Sequence, residues 1–259
     1  MKKFFLSVLL ALCLTAAAPV SEEVWAAMPD EDFIGLCGRG SPREVLIALL
    51  EGATPNAANE YGRTALMWAA WKNPNPKVTS LLLKAGAKVN TRDSGGWTAL
   101  MWAAERNQSP EVISLLLNAG AEVNAKDWDG VTALMWCAWR NTNPKVLSLL
   151  LKAGAEINVR DENRGTALIL AALSNKNPEV ISLLLRCGAD VNAKNVHGKT
   201  ALILAAMFNR PEAVSLLLQA GADLGAKDNT GRTALDWALE RDSRDVINVL
   251  KSVSKKASR

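Results

Sequence analysis

Between Asp127 and Asn158 the sequence reads DWDGVTALMWCAWRNTNPKVLSLLLKAGAEIN, and landmarks of this stretch recur along most of the chain. The tripeptide Thr-Ala-Leu returns at intervals of 34, 34, 34, 34 and 33 residues, starting at Thr64, Thr98, Thr132, Thr166, Thr200 and Thr233. The Gly-Ala pair that starts at Gly154 and the asparagine at Asn158 keep the same phase in most other units. Landmarks that stay in phase indicate internal repeats, which stack into a solenoid.

Each repeat is predicted to form two short helices and a turn. The first helix spans 64–72 in the first full unit, and Asn73 closes it, because asparagine tolerates left-handed dihedrals at a helix end. The second helix begins at Asn75, an N-cap followed by proline, and Gly86 stops it. The same start signal returns at Ser109, Asn143 and Asn177. Turn residues at 90–96 predict a projecting, hairpin-like finger.

This pattern resembles that of ankyrin repeats, whose units carry D-x-x-G-x-T-P-L-H-x-A-A and then L-L-L-x-x-G-A-D-V-N. Residues 127–138 and 149–158 match it, and the resemblance covers about residues 30 to 254. It implies an all-α solenoid of helix-turn-helix units with projecting fingers. The family's histidine is replaced throughout, so packing must replace its hydrogen bonds; the substitutes are Met67, Met101, Met135, Ile169, Ile203 and Asp236. The family's glycine is displaced to Gly165 in one unit, which predicts an irregular finger there.

The repeats define an ankyrin-repeat domain over 27–254, with seven units including caps. A degenerate first unit covers 30–58, full units cover 59–92, 93–126, 127–160, 161–194 and 195–227, and a polar last unit covers 228–254. Polar terminal units are what a solenoid requires. Residues 255–259 form a basic tail, and the stretch from residue 251 onward is predicted to be loose.

The first residues have the pattern of a signal peptide. Two lysines precede an apolar stretch at 4–14, which is short for a membrane span and typical of a signal peptide. Cleavage after Ala17, Ala18 or Ala26 fits the small residues there, and we favour Ala26. Residues 1–26 are therefore predicted to be a signal peptide, and the mature protein to be periplasmic or secreted. An uncleaved anchor is the alternative.

Composition argues against several chemistries. The formal net charge is +4, and its even spread offers little reason to propose nucleic acid as a partner. His197 is the only histidine, so we predict no catalytic site, no metal site, no cofactor and no small-molecule substrate. Cys37, Cys137 and Cys187 are scattered among units, which predicts three free, buried thiols and no disulfide.

The resemblance implies that a partner contacts the finger tips and the ends of the first helices on the concave side. Aromatic residues and arginine are enriched at interface hot spots. The candidate residues are Tyr61, Arg63, Trp71, Lys72, Trp97, Arg106, Trp128, Trp139, Arg140, Met207 and Phe208.

The tryptophans fall into two predicted classes. Those at one repeated position are interpreted as packing between repeats: Trp68, Trp102, Trp136 and Trp237. Those at variable positions are interpreted as partner contacts: Trp71, Trp97, Trp128 and Trp139. Lys72, Arg106 and Arg140 follow one another at intervals of 34, which predicts a ladder of cations and an acidic or amphipathic partner.

These patterns predict a monomeric, exported binding module that holds a protein or peptide in its concave groove. The alternatives are a secreted effector that engages a host protein, and a protein that binds acidic glycans or nucleic acid. An enzyme is disfavoured, because no convergent cluster of polar residues is evident.

Overall fold

The structure, a computed structural model, describes residues 28–208 and 210–257, with side chains up to residue 253. The predicted signal peptide lies outside the described residues. Within them, fourteen α-helices form seven consecutive pairs. Their bounds are α1 Asp30–Arg39, α2 Pro42–Leu50, α3 Ala65–Lys72, α4 Pro76–Lys84, α5 Ala99–Arg106, α6 Pro110–Asn118, α7 Ala133–Arg140, α8 Pro144–Lys152, α9 Ala167–Ser174, α10 Pro178–Arg186, α11 Ala201–Met207, α12 Pro211–Gln219, α13 Ala234–Glu240 and α14 Arg244–Ala257. The predicted all-α solenoid is confirmed.

Helices of one kind pack on their counterparts in the neighbouring units, so the solenoid has two layers. The first helices of the pairs form one layer, in which α3 packs on α1 and α5 packs on α3. Alanines such as Ala69 and Ala70 are fully buried between them, and their small side chains allow close approach. The second helices form the other layer, in which α4 packs on α2 and α6 packs on α4.

Local signals begin most of the described helices at the positions that the sequence predicted. Thr64 caps α3 by accepting a hydrogen bond from the Met67 amide, and the equivalent threonines cap the later first helices. Asn75 caps α4, because its side-chain oxygen accepts a hydrogen bond from the Lys77 amide. Ser109 occupies the N-cap of α6 but its side chain accepts no such bond. The predicted start of the helix is therefore confirmed at this position, and the predicted side-chain cap is wrong there.

The asparagine after each first helix has another role than the predicted one. Asn73 is extended, with φ −84° and ψ 117°, not left-handed. Its buried carboxamide donates to the carbonyls of Cys37 and Gly40 in the preceding unit, at 3.0 and 2.9 Å. Asn107, Asn141 and Asn175 repeat this bridge. Buried carbonyls left without partners are costly, so this ladder of amides holds adjacent units together.

The fingers are tight turns that join one another through the backbone. In the finger of Asp93, Oδ1 accepts the amides of Gly95 and Trp97, both at 2.9 Å. The amide of Ser94 donates to the carbonyl of Tyr61 in the preceding finger at 2.9 Å. The same link recurs along the row of fingers, which are therefore anchored at their tips.

The finger predicted to be irregular keeps the common turn. The Arg164 amide donates to the Asp161 carbonyl at 2.9 Å, as the Gly130 amide does to Asp127 one unit earlier. Arg164 adopts φ 57°, which places an arginine in the left-handed region where the other fingers have glycine. The prediction of a misshapen finger is wrong, because the backbone conformation was kept at a cost of about 1 kcal/mol.

The structure tests three further predictions, on the methionines, the last helix and one cysteine. Met67, Met101 and Met135 are buried where the family has histidine. The last helix runs to Ala257, past the boundary drawn at residue 254, because neither glycine nor proline interrupts it. Cys187 is exposed, so the prediction of a buried thiol is wrong there; the residue follows α10 in a surface turn.

No helix in the described part of the chain combines the length and the hydrophobicity of a membrane-spanning helix.

Candidate partner-binding surface

Six indoles form one continuous stack along the surface made by the first helices and the fingers, which we call the inner surface. Their ring centroids lie 4.1 to 5.5 Å apart in the order Trp68, Trp71, Trp102, Trp97, Trp136 and Trp139. The stack contains members of both predicted classes. Trp71 and Trp97 each lie between two other indoles, so the strict division into packing and partner-binding tryptophans is wrong for them. Side chains that start from different elements converge here.

Carboxylates orient three of the indoles at the repeated position. Trp102 donates its indole N–H to Asp93 Oδ2 at 3.0 Å, and Trp136 donates to Asp127 at 2.9 Å. Trp237 donates to Asp228 at 2.8 Å. Burial alone would raise the pKa of Asp228, but hydrogen bonds led by the Thr230 hydroxyl outweigh it and lower the pKa to about 2. In these three fingers, the aspartate that shapes the turn thus also fixes an indole.

Trp68 lacks this partner. Its buried indole nitrogen has no hydrogen-bond acceptor, because the equivalent finger carries Asn59 in place of aspartate. Asn59 Oδ1 already accepts the amides of Tyr61 and Arg63, at 3.1 and 3.0 Å. The remaining terminal atom of Asn59 is a donor nitrogen, which cannot accept the indole proton.

The cations of the inner surface lie over indoles or beside a carboxylate. Lys72 Nζ lies 4.4 Å from the ring centroids of both Trp68 and Trp71, and the Arg140 guanidinium lies 4.5 Å from Trp139. Arg106 Nε is 3.3 Å from Glu105. Each of the three cations of the predicted ladder thus has a partner within the chain, and the binding role of the ladder stays a prediction.

Three candidate residues expose large apolar surfaces: Tyr61 by 53%, Trp128 by 62% and Phe208 by 47%. Trp128 is nevertheless held in place, because its indole N–H donates to the Ser94 carbonyl at 3.0 Å and Arg92 lies over its ring. Arg63 is half-buried, with its guanidinium 4.9 Å from the Trp102 ring.

The tryptophan stack ends in the middle of the solenoid. Leu170 and Leu204 occupy the repeated position that holds tryptophan in the other full units and in the last unit. Elsewhere the finger places a large side chain against the next unit's indole, as Trp97 does on Trp136. The finger that precedes Leu170 has the smaller Val131 at this position. The finger that precedes Leu204 has Gly165, which has no side chain.

These replacements open a groove of about 580 Å³. Leu170, Leu173, Leu204 and Met207 line its apolar part, and Trp136, Trp139 and Phe208 also line it. Finger residues on its lining include Asp129, Asp161, Asn163, His197 and Lys199. The groove thus joins Trp139, Met207 and Phe208, three of the residues predicted to bind a partner. Tyr61, Trp71 and Lys72 lie in an earlier unit.

The groove itself was missed from the sequence. Its signal is the substitution of leucine for tryptophan at positions 170 and 204, read together with the small residues at 131 and 165. Asp161, which lines the groove, is not among the residues predicted to bind a partner. In the described part of the chain, no group of three or more histidine, cysteine, aspartate or glutamate side chains could hold a metal ion.

Comparison with known proteins agrees with this architecture. A family model described as ankyrin repeats (3 copies) matches residues 36–127, 75–161, 127–195 and 168–258. A search of curated proteins found no match. The matched segments overlap and span most of the chain, including both layers of helices and the fingers. The chain therefore belongs to the ankyrin-repeat family, whose repeats are generally non-catalytic scaffolds for protein–protein interaction.

Proposed function

We propose that this protein is an exported module that binds a protein or peptide across its inner surface, which the family resemblance identifies as the concave side. The observation that carries this proposal is the exposure of aromatic surface on a rigid row of fingers and first helices. Preorganised aromatic side chains lose little conformational entropy on binding, which favours their use as anchors.

The test uses the protein as bait and a triple variant of its exposed aromatic residues. A partner captured from an extract would be identified, purified and titrated against both proteins. The changes are Tyr61→Ala, Trp128→Ala and Phe208→Ala. We expect the triple variant to bind at least about 30-fold more weakly, because one hot-spot side chain contributes about 2 kcal/mol.

A matched control removes exposed apolar side chains from the other layer. Ile47 and Leu50 on α2 are 42% and 50% exposed, so Ile47→Ala with Leu50→Ala removes exposed apolar side chains that lie outside the inner surface. This control should keep the affinity of the original protein. The proposal is wrong if the triple variant, shown to be folded by circular dichroism, keeps the affinity of the original protein.

Export is proposed from the sequence of residues 1–26 alone. The mature chain is expected outside the cytoplasm, starting near Ala27. Cell fractionation followed by N-terminal mass spectrometry tests this, and a cytoplasmic protein that retains its original N-terminus would refute it.

A further inference from the structure

One finger of this protein contains a complete arrangement of carboxylate, indole and guanidinium. Asp93 Oδ2 accepts the indole N–H of Trp102 at 3.0 Å. The same oxygen lies 3.8 Å from Arg63 Nε of the preceding finger, and the Arg63 guanidinium lies over the Trp102 ring. Both partners of this carboxylate come from within the chain.

The equivalent carboxylate beside the groove has lost both kinds of partner. Asp161 Oδ1 accepts the Gly165 amide at 2.6 Å, so the carboxylate is anchored in the finger in the same way as Asp93. Leu170 occupies the position of Trp102, and Val131 occupies the position of Arg63. Neither replacement can donate a hydrogen bond. No described side chain donates to the Asp161 carboxylate.

The charge at this side of the groove is negative. Neither Asp129 nor Asp161 forms an ion pair with any residue that the structure describes. Burial raises the pKa of Asp161, and the Asp129 carboxylate adds to the effect. Among the lining residues, the charged donor is Lys199, whose Nζ lies 3.3 Å from Met207 Sδ and 4.5 Å from the centroid of the Trp237 ring and forms no ion pair with either aspartate.

We propose that the groove receives an arginine side chain from a segment of the partner protein, with its guanidinium on Asp161. This inference rests on the proposed function and specifies the partner's chemistry. The guanidinium would supply both the hydrogen-bond donor that Asp93 has in Trp102 and the positive charge that Asp93 has in Arg63. Apolar residues beside that arginine would contact Leu173 and Met207.

Arginine fits this position better than lysine or tryptophan. Its planar guanidinium can donate two parallel hydrogen bonds to one carboxylate and can stack on an aromatic ring. Trp136 and Trp139 supply aromatic rings in the same groove. A neutral indole could donate to Asp161, but it would leave the combined charge of Asp129 and Asp161 uncompensated.

Blocked tripeptides test the ligand chemistry directly. The probes are acetyl-Leu-Arg-Leu-amide, its citrulline analogue, which has nearly the same shape without the charge, and acetyl-Leu-Trp-Leu-amide. Titration is followed by the indole ¹⁵N–H signals of Trp136 and Trp139. We expect the arginine peptide to bind at least about 10-fold more tightly than either other peptide, because a hydrogen bond to a charged group contributes about 1.5–3 kcal/mol. Absence of binding, or equal binding by the citrulline or tryptophan peptide, would overturn the proposal.

Variants of the groove provide the second arm of the experiment. Asp161→Asn should weaken the arginine peptide at least about 10-fold, and the turn should survive because Asn59 and Asn195 occupy the equivalent position in two other fingers. Glu162→Gln removes the same charge from the next, exposed residue and should leave binding unchanged. Leu170→Trp should fill the groove and abolish peptide binding without lowering the melting temperature. Equal affinities for the Asp161→Asn and Glu162→Gln variants would overturn the proposal.

The same variants separate this inference from the proposed function. If the captured partner loses affinity for the triple aromatic variant but not for Asp161→Asn, the inner surface binds a protein and the arginine assignment fails. If the arginine peptide binds in the groove while the triple variant keeps its affinity for the captured partner, the broader proposal fails and the groove assignment stands.

Discussion

The unpartnered indole of Trp68 offers a sharp test of how the fingers stabilise the fold. Asn59→Asp would place a carboxylate oxygen where Trp68 Nε1 now has no acceptor. The result should reproduce the pair at Asp93 and Trp102, whose atoms are 3.0 Å apart. The change keeps the size of the side chain and the oxygen that binds the finger amides.

The expected gain follows from the energetics of a hydrogen bond to a charged group. Such a bond contributes a net 1.5–3 kcal/mol, and the desolvation of the new carboxylate offsets part of this. We therefore expect the free energy of unfolding to rise by about 1–2 kcal/mol. In equilibrium urea unfolding, followed by far-ultraviolet circular dichroism, the midpoint should rise by about 0.5 M.

Two controls isolate the indole. Asn195→Asp makes the same change in a finger whose partner position holds Leu204, and it should bring no gain. Asn59→Asp should also bring no gain in a protein that already carries Trp68→Phe, because phenylalanine keeps an aromatic ring but has no N–H donor. The reasoning is refuted if Asn59→Asp stabilises the protein equally in the presence and absence of the indole.

Other predictions concern the stack, one finger and the thiols. Trp102→Ala should lower the free energy of unfolding by about 3–5 kcal/mol, because it leaves a buried cavity and removes the indole donor from Asp93. Trp128→Ala should lower it by about 1 kcal/mol or less, and comparable losses in urea unfolding would contradict this. Arg164→Gly should stabilise the protein by about 0.5–1 kcal/mol by relieving the left-handed arginine, and an unchanged or lower urea midpoint would count against that strain. Iodoacetamide at pH 8 should label Cys187 in the native protein but not Cys37, because burial of Cys37 blocks access and raises its pKa to about 12; labelling of native Cys37, detected by mass spectrometry, would show the burial to be wrong.

The architecture could be predicted from the sequence, because every signal that sets a unit is local and repeats in phase. Thr64 caps its own helix, Asn75 precedes the proline that starts the next one, and Gly86 ends it with φ 94°. Each unit then buries its apolar face against neighbours of nearly the same sequence. The period therefore predicts the stacking without knowledge of any particular contact.

The side-chain contacts between units could not be predicted in this way and are known from the three-dimensional structure alone. Asn73 was predicted to end a helix in a left-handed conformation, and its bridge to Cys37 spans 36 residues. The contact of Trp97 with Trp136 joins a finger to a helix of the next unit, so residue class and spacing could not separate packing from partner binding. The groove likewise depends on small residues at Val131 and Gly165 coinciding in space with the leucines of the next units. Such contacts depend on the directions in which side chains leave separate elements, and a one-dimensional period does not contain those directions.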